Sequence, residues 1–328
     1  MAQYYLGIDI GGTKSHALIA DEQGHVVGFG ECGAGSHEVV GWEGLREALE
    51  TVSAQAMASA GIDCAHLAGV GYGIAGHDWP GDRPGHIEAI DALGIPAPYA
   101  LVNDTIIGLM AGAEEGWGVG VVAGTGSNSW GRDRAGREAH MTGGGTMFGE
   151  YAGGGDLVAK AVEAVALAWT MRGPHTRLAD AFVARVGASG VEDLLEGLYL
   201  SRYTLSSDVA PLVFEVAAAG DSVALEIIRW AGRELGSQAI GVIRQLGIEA
   251  LTFDVVQIGS LYRGSPLLTD VMRETIHTVA PGARLVRLTV PPVVGAVMLG
   301  MEQAGVDFRP LRETLIASAA QVSARKGG

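Results

Sequence analysis

Cysteine is almost missing from this sequence: Cys32 and Cys64 are the only two in 328 residues. Two thiols cannot build a disulfide framework or a four-thiolate metal site. They read as reduced, partly buried side chains. Positive charge is scarce as well, with 22 Lys and Arg against 37 Asp and Glu and a net charge of −15. A self-repelling acidic surface argues against nucleic acid or anionic membrane as the main partner. Small anions stay within reach, because backbone dipoles and a bound cation capture them locally. Long apolar runs are absent too: no stretch reaches the ~20 apolar residues of a membrane span. The N-terminus lacks a basic segment followed by an apolar one, and Asp9 and Asp21 interrupt it, so a cytoplasmic location is expected. The nine histidines show no HExxH-type spacing, and no zinc site is indicated.

What is plentiful is apolar surface, at 48% of residues against 18% charged, enough for sizeable cores. The length suits two domains. Short β-type runs open the chain at Tyr4–Ile10, Ser15–Ala20 and His25–Gly30, separated by Gly11-Gly12-Thr13-Lys14 and Asp21-Glu22-Gln23-Gly24. Helical periodicity follows at about 41–60, with Trp42, Leu45, Leu49, Val52 and Ala56 on one face. Then come a strand at 67–72, a helix near 85–93, a strand at 99–102 and a helix at 105–113.

The opening pattern then restarts. The strand at 116–123 ends in Gly124-Thr125-Gly126-Ser127-Asn128, and a turn follows at Asp133-Arg134-Ala135-Gly136. A shift of 112 positions aligns Gly12, Thr13, Ser15, Asp21 and Gly24 with Gly124, Thr125, Ser127, Asp133 and Gly136. Two copies of one hairpin unit explain these identities; in a chain with 51 glycines, coincidence is the competing account. The second half is mainly helical over 154–246. A strand at 252–258, a helix at 266–280 and a strand near 284–289 follow. Helices at 293–303, with Pro291-Pro292 as a start signal, and about 310–323 close the chain. The last of these is expected to pack back on the first domain.

Asp9 lies inside an apolar strand just before two glycines and a threonine. Burying a carboxylate is costly unless it is paired or serves a cation. A Gly-Gly turn lets backbone N–H groups approach phosphate oxygens, so Asp9 is placed to hold Mg²⁺ through water and Thr13 to donate to a phosphate. An ordinary hairpin with Asp9 capping a turn is the plainer alternative. Gly124–Asn128 has the same character, and as the second member of a repeated unit it becomes a second jaw. Ile258-Gly259-Ser260 ends a buried strand where a glycine would let an adenine ring lie flat, or forms a plain strand-to-helix turn. Gly220, between two helices, could flank the base or ribose.

Asn103-Asp104 follows an apolar strand and precedes a helix. Asp104 is either that helix's N-cap or a general base that takes a proton from a sugar hydroxyl attacking the γ-phosphate. Sugar-type hydrogen-bonding groups cluster at Ser36-His37, Gly76-His77-Asp78, Ser127-Asn128, Gly143-Gly144-Gly145-Thr146 and Gly149-Glu150; taken singly, His37 and His77 read as surface or turn histidines.

The run Gly7 to Ser15, the Asn103-Asp104 pair, Gly124 to Asn128 and Ile258-Gly259-Ser260 resemble, in order and spacing, the N-acetylglucosamine kinase family. That family is grouped with the BadF/BcrA-type ATPases, which include activators of acyl-CoA dehydratases and reductases, in the actin–hexokinase superfamily. The resemblance spans about Tyr4 to Gly305. It implies an α/β fold of two ribonuclease-H-like domains about a central ATP and sugar cleft. The first lobe would be 1–117, joined by a terminal helix at about 308–328, and the second 118–307. It implies ATP and Mg²⁺ as cofactors and a homodimer. By resemblance Asp104 is the catalytic base. Asp9, Gly11, Gly12, Thr13, Lys14, Thr125, Gly126, Gly220, Gly259 and Ser260 serve the nucleotide. Ser36, His37, Gly76, Asn103, Ser127, Asn128, Gly144, Gly145, Thr146 and Glu150 serve the sugar. Ser36 and Glu150 depart from the family's usual Asn and Asp, and both fall in the sugar pocket. A dehydratase activator holding an iron–sulfur cluster is one rival, though no cysteine follows the second phosphate loop. A non-catalytic nucleotide-dependent binder is the other.

Overall fold

In the computed structural model, which describes residues 3–326, two five-stranded mixed sheets repeat one topology. In the first, β1 (Tyr4–Ile10), β2 (Ser15–Asp21) and β3 (Val26–Cys32) form an antiparallel meander, and β4 (Leu67–Ile74) and β5 (Tyr99–Asn103) add in parallel beside β1. Their order is β3-β2-β1-β4-β5. In the second, β6 (Gly118–Ala123), β7 (Ser127–Arg132) and β8 (Glu138–His140) form the meander. There β9 (Phe253–Ile258) and β10 (Ala283–Arg287) add in parallel beside β6, so the order is β8-β7-β6-β9-β10.

The identities at a shift of 112 therefore mark equivalent places. Asp21 Oδ1 accepts from the N–H groups of Gln23 and His25. Asp133 Oδ1 accepts likewise from Ala135 and Arg137. Gly24 and Gly136 both close their turns at positive φ, 84° and 80°. An aspartate that caps a turn and a glycine that tolerates the left-handed region are what such a hairpin demands.

Helices fill the layers around the sheets. α1 (His37–Ala60) and α2 (Arg83–Asp91) cover the outer face of the first sheet, where Leu45, Leu49 and Val52 meet Ile8, Ile10 and Ile19. α1 begins four residues before the sequence reading and breaks at Gly41, whose φ of 72° interrupts the helix. Between the sheets lie α3 (Asp104–Gly112) and α10 (Val293–Gln303), with Ile106, Met110, Val294 and Val297 among the buried residues of one cluster. The second sheet's outer face is covered by α8 (Ser222–Leu246) and α9 (Pro266–His277). The helices α4 (Gly154–Trp169), α5 (Leu178–Val186), α6 (Val191–Tyr199) and α7 (Ala210–Ala218) extend that cluster. Finally α11 (Arg312–Lys326) lies against β3, and Ser318 Oγ accepts from Val26 N at 2.8 Å. Among the described residues, no helix is long and apolar enough to cross a membrane.

Candidate active site

β1, β4 and β5 run parallel, so their C-terminal ends meet at one edge of the first sheet. Asp9 is the penultimate residue of β1 and Asp104 the first of α3, directly after β5. The alternative reading of Asp104 as helix cap is overturned. Asn103 is the N-cap, its Oδ1 accepting from Thr105 N at 2.8 Å, while Asp104 stands in the first turn. The Asp104 carboxylate, held by Thr105 and its own N–H, is not what caps the helix. Burial, with Asp78 nearby, pushes it up to about 6. Burial, with Asp104 beside it, pushes Asp9 up to about 8. The push of Asp104 on Asp9, and of Asp78 on Asp104, gathers three carboxylates at one end of the sheet.

The first glycine turn stands just above Asp9. Gly11 N donates to Lys14 O at 3.1 Å, which leaves Gly12, Thr13 and Lys14 exposed at its tip. The second turn is its counterpart: Gly124 N donates to Gly126 O at 2.9 Å, and Thr125 and Gly126 are exposed. The carbonyls of Gly124 and Thr125 accept from Gly154 and Gly155, which seats the turn on the start of α4.

A cavity of about 500 Å³ opens beside this second turn. Gly124 and Thr125 form one wall, Ser260 and Arg263 another, and Pro211 and Phe214 of α7 a third. Gly259 brings the first two walls together: at φ 113° a Cβ there would lie 2.3 Å from Ala123 O, so no other residue fits. An apolar slot ending in hydroxyls and free N–H groups suits a base and its phosphates.

The acceptor side is less as expected. Asn103, read as a sugar contact, is 1% exposed and uses both ends of its amide, Oδ1 on Thr105 N and Nδ2 on Asp78 Oδ1 at 3.0 Å. It shapes the site from behind. Ser127 is likewise occupied: its hydroxyl donates to Tyr151 O at 2.8 Å and accepts from Gln238 Nε2. Ser36, 1% exposed, donates to Ala75 O at 3.0 Å, and its N–H reaches Gly11 O, so it braces the first glycine turn. His37 stacks on Trp42 at 4.1 Å and packs edge-on to His86, against the Gly76 backbone. His37 and His77 thus both pack against His86 and are not isolated surface groups. Gly144, Gly145 and Thr146 lie on a partly exposed turn next to exposed Met147 and Phe148. Glu150, 2% exposed, takes two hydrogen bonds from Thr142 on Oε1, while its buried Oε2 has no partner. A buried acceptor without a partner has capacity for one more hydrogen bond.

A family model described as the BadF/BadG/BcrA/BcrD ATPase family matches residues 6–300. The chain belongs to that ATPase family. Two curated relatives are an N-acetylmuramic acid/N-acetylglucosamine kinase of Clostridium acetobutylicum, 26% identical over 92% of this chain and 99% of the relative, and an N-acetyl-D-glucosamine kinase of Dictyostelium discoideum, 25% identical over 91% and 98%. Among solved structures, a Porphyromonas gingivalis protein described as a candidate N-acetylglucosamine kinase superposes with a TM-score of 0.63 at 18% identity, covering 90% of this chain and 98% of that one. A ROK-family glucokinase of Streptomyces griseus, solved with glucose and AMPPNP, gives 0.55 at 20% identity over 90% and 98%. The fold is accordingly the two-sheet α/β fold of the actin–hexokinase superfamily.

In this member of the ATPase family, Gly220 does not line the cavity beside the second glycine turn. It follows the far end of α7, nine residues beyond Pro211, or ~14 Å along a helix. There it closes a turn at φ 89° ahead of Asp221, the N-cap of α8. The sequence reading missed Pro211, Phe214 and Arg263. A proline near a helix start and an apolar residue three positions on carry no motif; only the packing of α7 places them.

No group of three or more His, Cys, Asp or Glu side chains among the described residues is placed to hold a metal. Asp9 alone still suits Mg²⁺ held through water, since a cation there would offset the repulsion between Asp9 and Asp104. The same repulsion has a stability consequence. A carboxyl whose folded pKa lies above its unfolded value of ~4 contributes fully below that value and loses the contribution as pH rises through about 8. Asp9→Asn should therefore stabilise the metal-free protein by about 1 kcal/mol or more at pH 8, with the gain vanishing toward pH 4. Urea midpoints at the two pH values check this, and a gain that is equal at both would refute it.

Proposed function

We propose that the chain is an ATP-dependent sugar kinase that phosphorylates a hexosamine, at the 6-hydroxyl of N-acetylglucosamine, with Asp104 as general base. The observation that carries this reading is the Asp104 carboxylate at the sheet edge, lifted to about 6 by burial and Asp78. A base is most effective when its pKa lies near the working pH. Asp104 takes the hydroxyl proton as the sugar oxygen bonds to the γ-phosphorus, and the bridging P–O bond breaks to release ADP. Thr13 and Thr125, with their turns, hold the polyphosphate, and the cavity lined by Ser260, Pro211 and Phe214 takes the adenosine. Mg²⁺, carried through water by Asp9, would neutralise phosphate charge.

The sugar wall in this reading is His37, Gly76, Asn128, Gly144, Gly145, Thr146 and Glu150. The curated relatives named as N-acetylglucosamine kinases support the substrate class. The proposal further takes 1–117 with the terminal helix as one lobe and 118–307 as the other, in a cytoplasmic homodimer. The rival activator is disfavoured by geometry. Cys32 ends β3 and Cys64 precedes β4. Both strands run in the same sense as β1, so the thiols sit at opposite ends of the sheet, ~20 Å apart, and cannot share a cluster.

ADP formation with glucose, glucosamine, N-acetylglucosamine, N-acetylmannosamine and muramic acid derivatives tests the proposal. Turnover that no sugar accelerates would leave a nucleotide-dependent binder as the better account. With the preferred sugar in hand, Glu150→Gln is expected to raise its KM about 10-fold and leave the KM for ATP within about 2-fold, because a buried acceptor to a hydroxyl is worth ~1.5 kcal/mol. Equal effects on both KM values would remove Glu150 from the sugar wall.

A further inference from the structure

One half-buried carboxylate in the cleft has no part in the mechanism above. Asp78 follows β4, on a loop that Asp82 pins by accepting from Trp79 N at 2.8 Å and from Asp78 N at 3.3 Å. The surroundings are hostile to a negative charge. Burial, then Glu38 and Asp82, all push its carboxyl up, with only His140 and a hydrogen bond from Asn128 acting the other way. A group kept in such a place needs compensation. Asp78 finds it in two amides, one from each sheet: Asn103 Nδ2 donates to Oδ1 at 3.0 Å from β5, and the Asn128 side chain on β7 stands near enough to favour the charged carboxylate. Gly143, of the second half, lies against the same carboxylate, a Cβ there falling 3.3 Å from Asp78 Cγ.

Both amides are fixed at their other ends. Asn103 Oδ1 caps α3, the helix whose first residue is Asp104. Asn128 Oδ1 accepts from Ser129 N at 2.8 Å, in the strand that starts two residues after Thr125. A continuous set of polar contacts therefore runs from the start of α3, through Asp78, to the root of the second glycine turn, with Gly143 packed against the same carboxylate. We infer that Asp78 is a positioning residue, a carboxylate clasp that holds the Asn103–Asp104 pair of the first half in register with the phosphate-binding turn of the second. A hydroxyl and a phosphorus held on different halves react only if the halves are aligned to a fraction of an ångström. Asp78 itself supplies alignment without touching either reactant, whereas Asn128, in the kinase reading, also faces the sugar. The inference rests on the kinase reading for its chemistry, but not for its geometry.

The test is a double-mutant cycle on ADP formation with Asp78→Ala, Asn128→Ala and the combination, with Asp78→Asn as the shape-conserving variant. Asp78→Ala should lower kcat about 10- to 100-fold while the KM for ATP stays within about 2-fold. The double variant should be no slower than the worse single one, since one clasp cannot be lost twice. Asp78→Asn, which keeps one acceptor oxygen but loses the second and the charge, should recover part of the rate and also serves if the alanine variant does not fold. Effects on kcat that multiply in the double variant, or Asp78→Asn as fast as the parent, would overturn the inference. A failure of the kinase reading looks different: the parent itself would turn over ATP at a rate indifferent to sugar, and the cycle would still be readable on that rate.

Discussion

Replacing Asp104 by asparagine is expected to lower turnover by ~10²-fold or more while leaving the binding of ATP and sugar nearly unchanged. Asparagine keeps the size of the side chain and loses the ability to take a proton. The cap of α3 is untouched, because Asn103 supplies it. A stability loss is thus not available as an explanation of a slow variant. Removing a negative charge next to Asp9 and Asp78 also relieves repulsion, so the variant should be at least as stable as the parent. In the parent, activity should fall as pH drops below about 6, when the base takes up its proton. Steady-state rates with isothermal titration of both ligands separate the cases. An asparagine variant that turns over at the parent rate would end the base assignment.

The second large effect is structural. Gly295→Val is expected to destabilise the protein by about 3 kcal/mol or more and to lower activity even where it folds. Gly295 is where α10 crosses α3: a Cβ there would lie 1.9 Å from Ile107 O and 2.8 Å from its carbonyl carbon. Backbone on both sides cannot yield as a flexible side chain would. The helices must separate, and with them α3, which begins at Asp104. Buried Val294, Ala296 and Val297 on α10 and Ile106 and Ile107 on α3 would lose contacts in the same step. Chemical denaturation reads the first effect and kcat of the residual folded protein the second. A valine variant with an unchanged midpoint would mean the two helices are not packed as closely as described.

Much of this site was legible as sequence because it is built from local chemistry. A glycine turn after an apolar strand, an aspartate inside such a strand and a polar pair ahead of a helix have local physical requirements, and the residues themselves state them. The repeat at 112 positions was legible for the same reason: a capping aspartate and a left-handed glycine are demanded within each hairpin. The acceptor wall was read less well. Asn103, Ser127 and Ser36 have the right chemical groups, yet those groups are committed to Asp78, Tyr151 and Ala75. Nothing in a list of hydroxyls and amides says which are already occupied.

By itself, then, the sequence determined the strand and helix order, the two glycine turns and the carboxylates that precede or follow them, since each depends on neighbours a few positions away. Only the tertiary structure decided that Asn103 rather than Asp104 caps α3, that Phe214 and not Gly220 lines the cavity beside the second glycine turn, and that Asp78 meets residues from both halves. Those outcomes depend on distances between residues far apart in the chain, and packing of α3 and α10 between the sheets sets such distances.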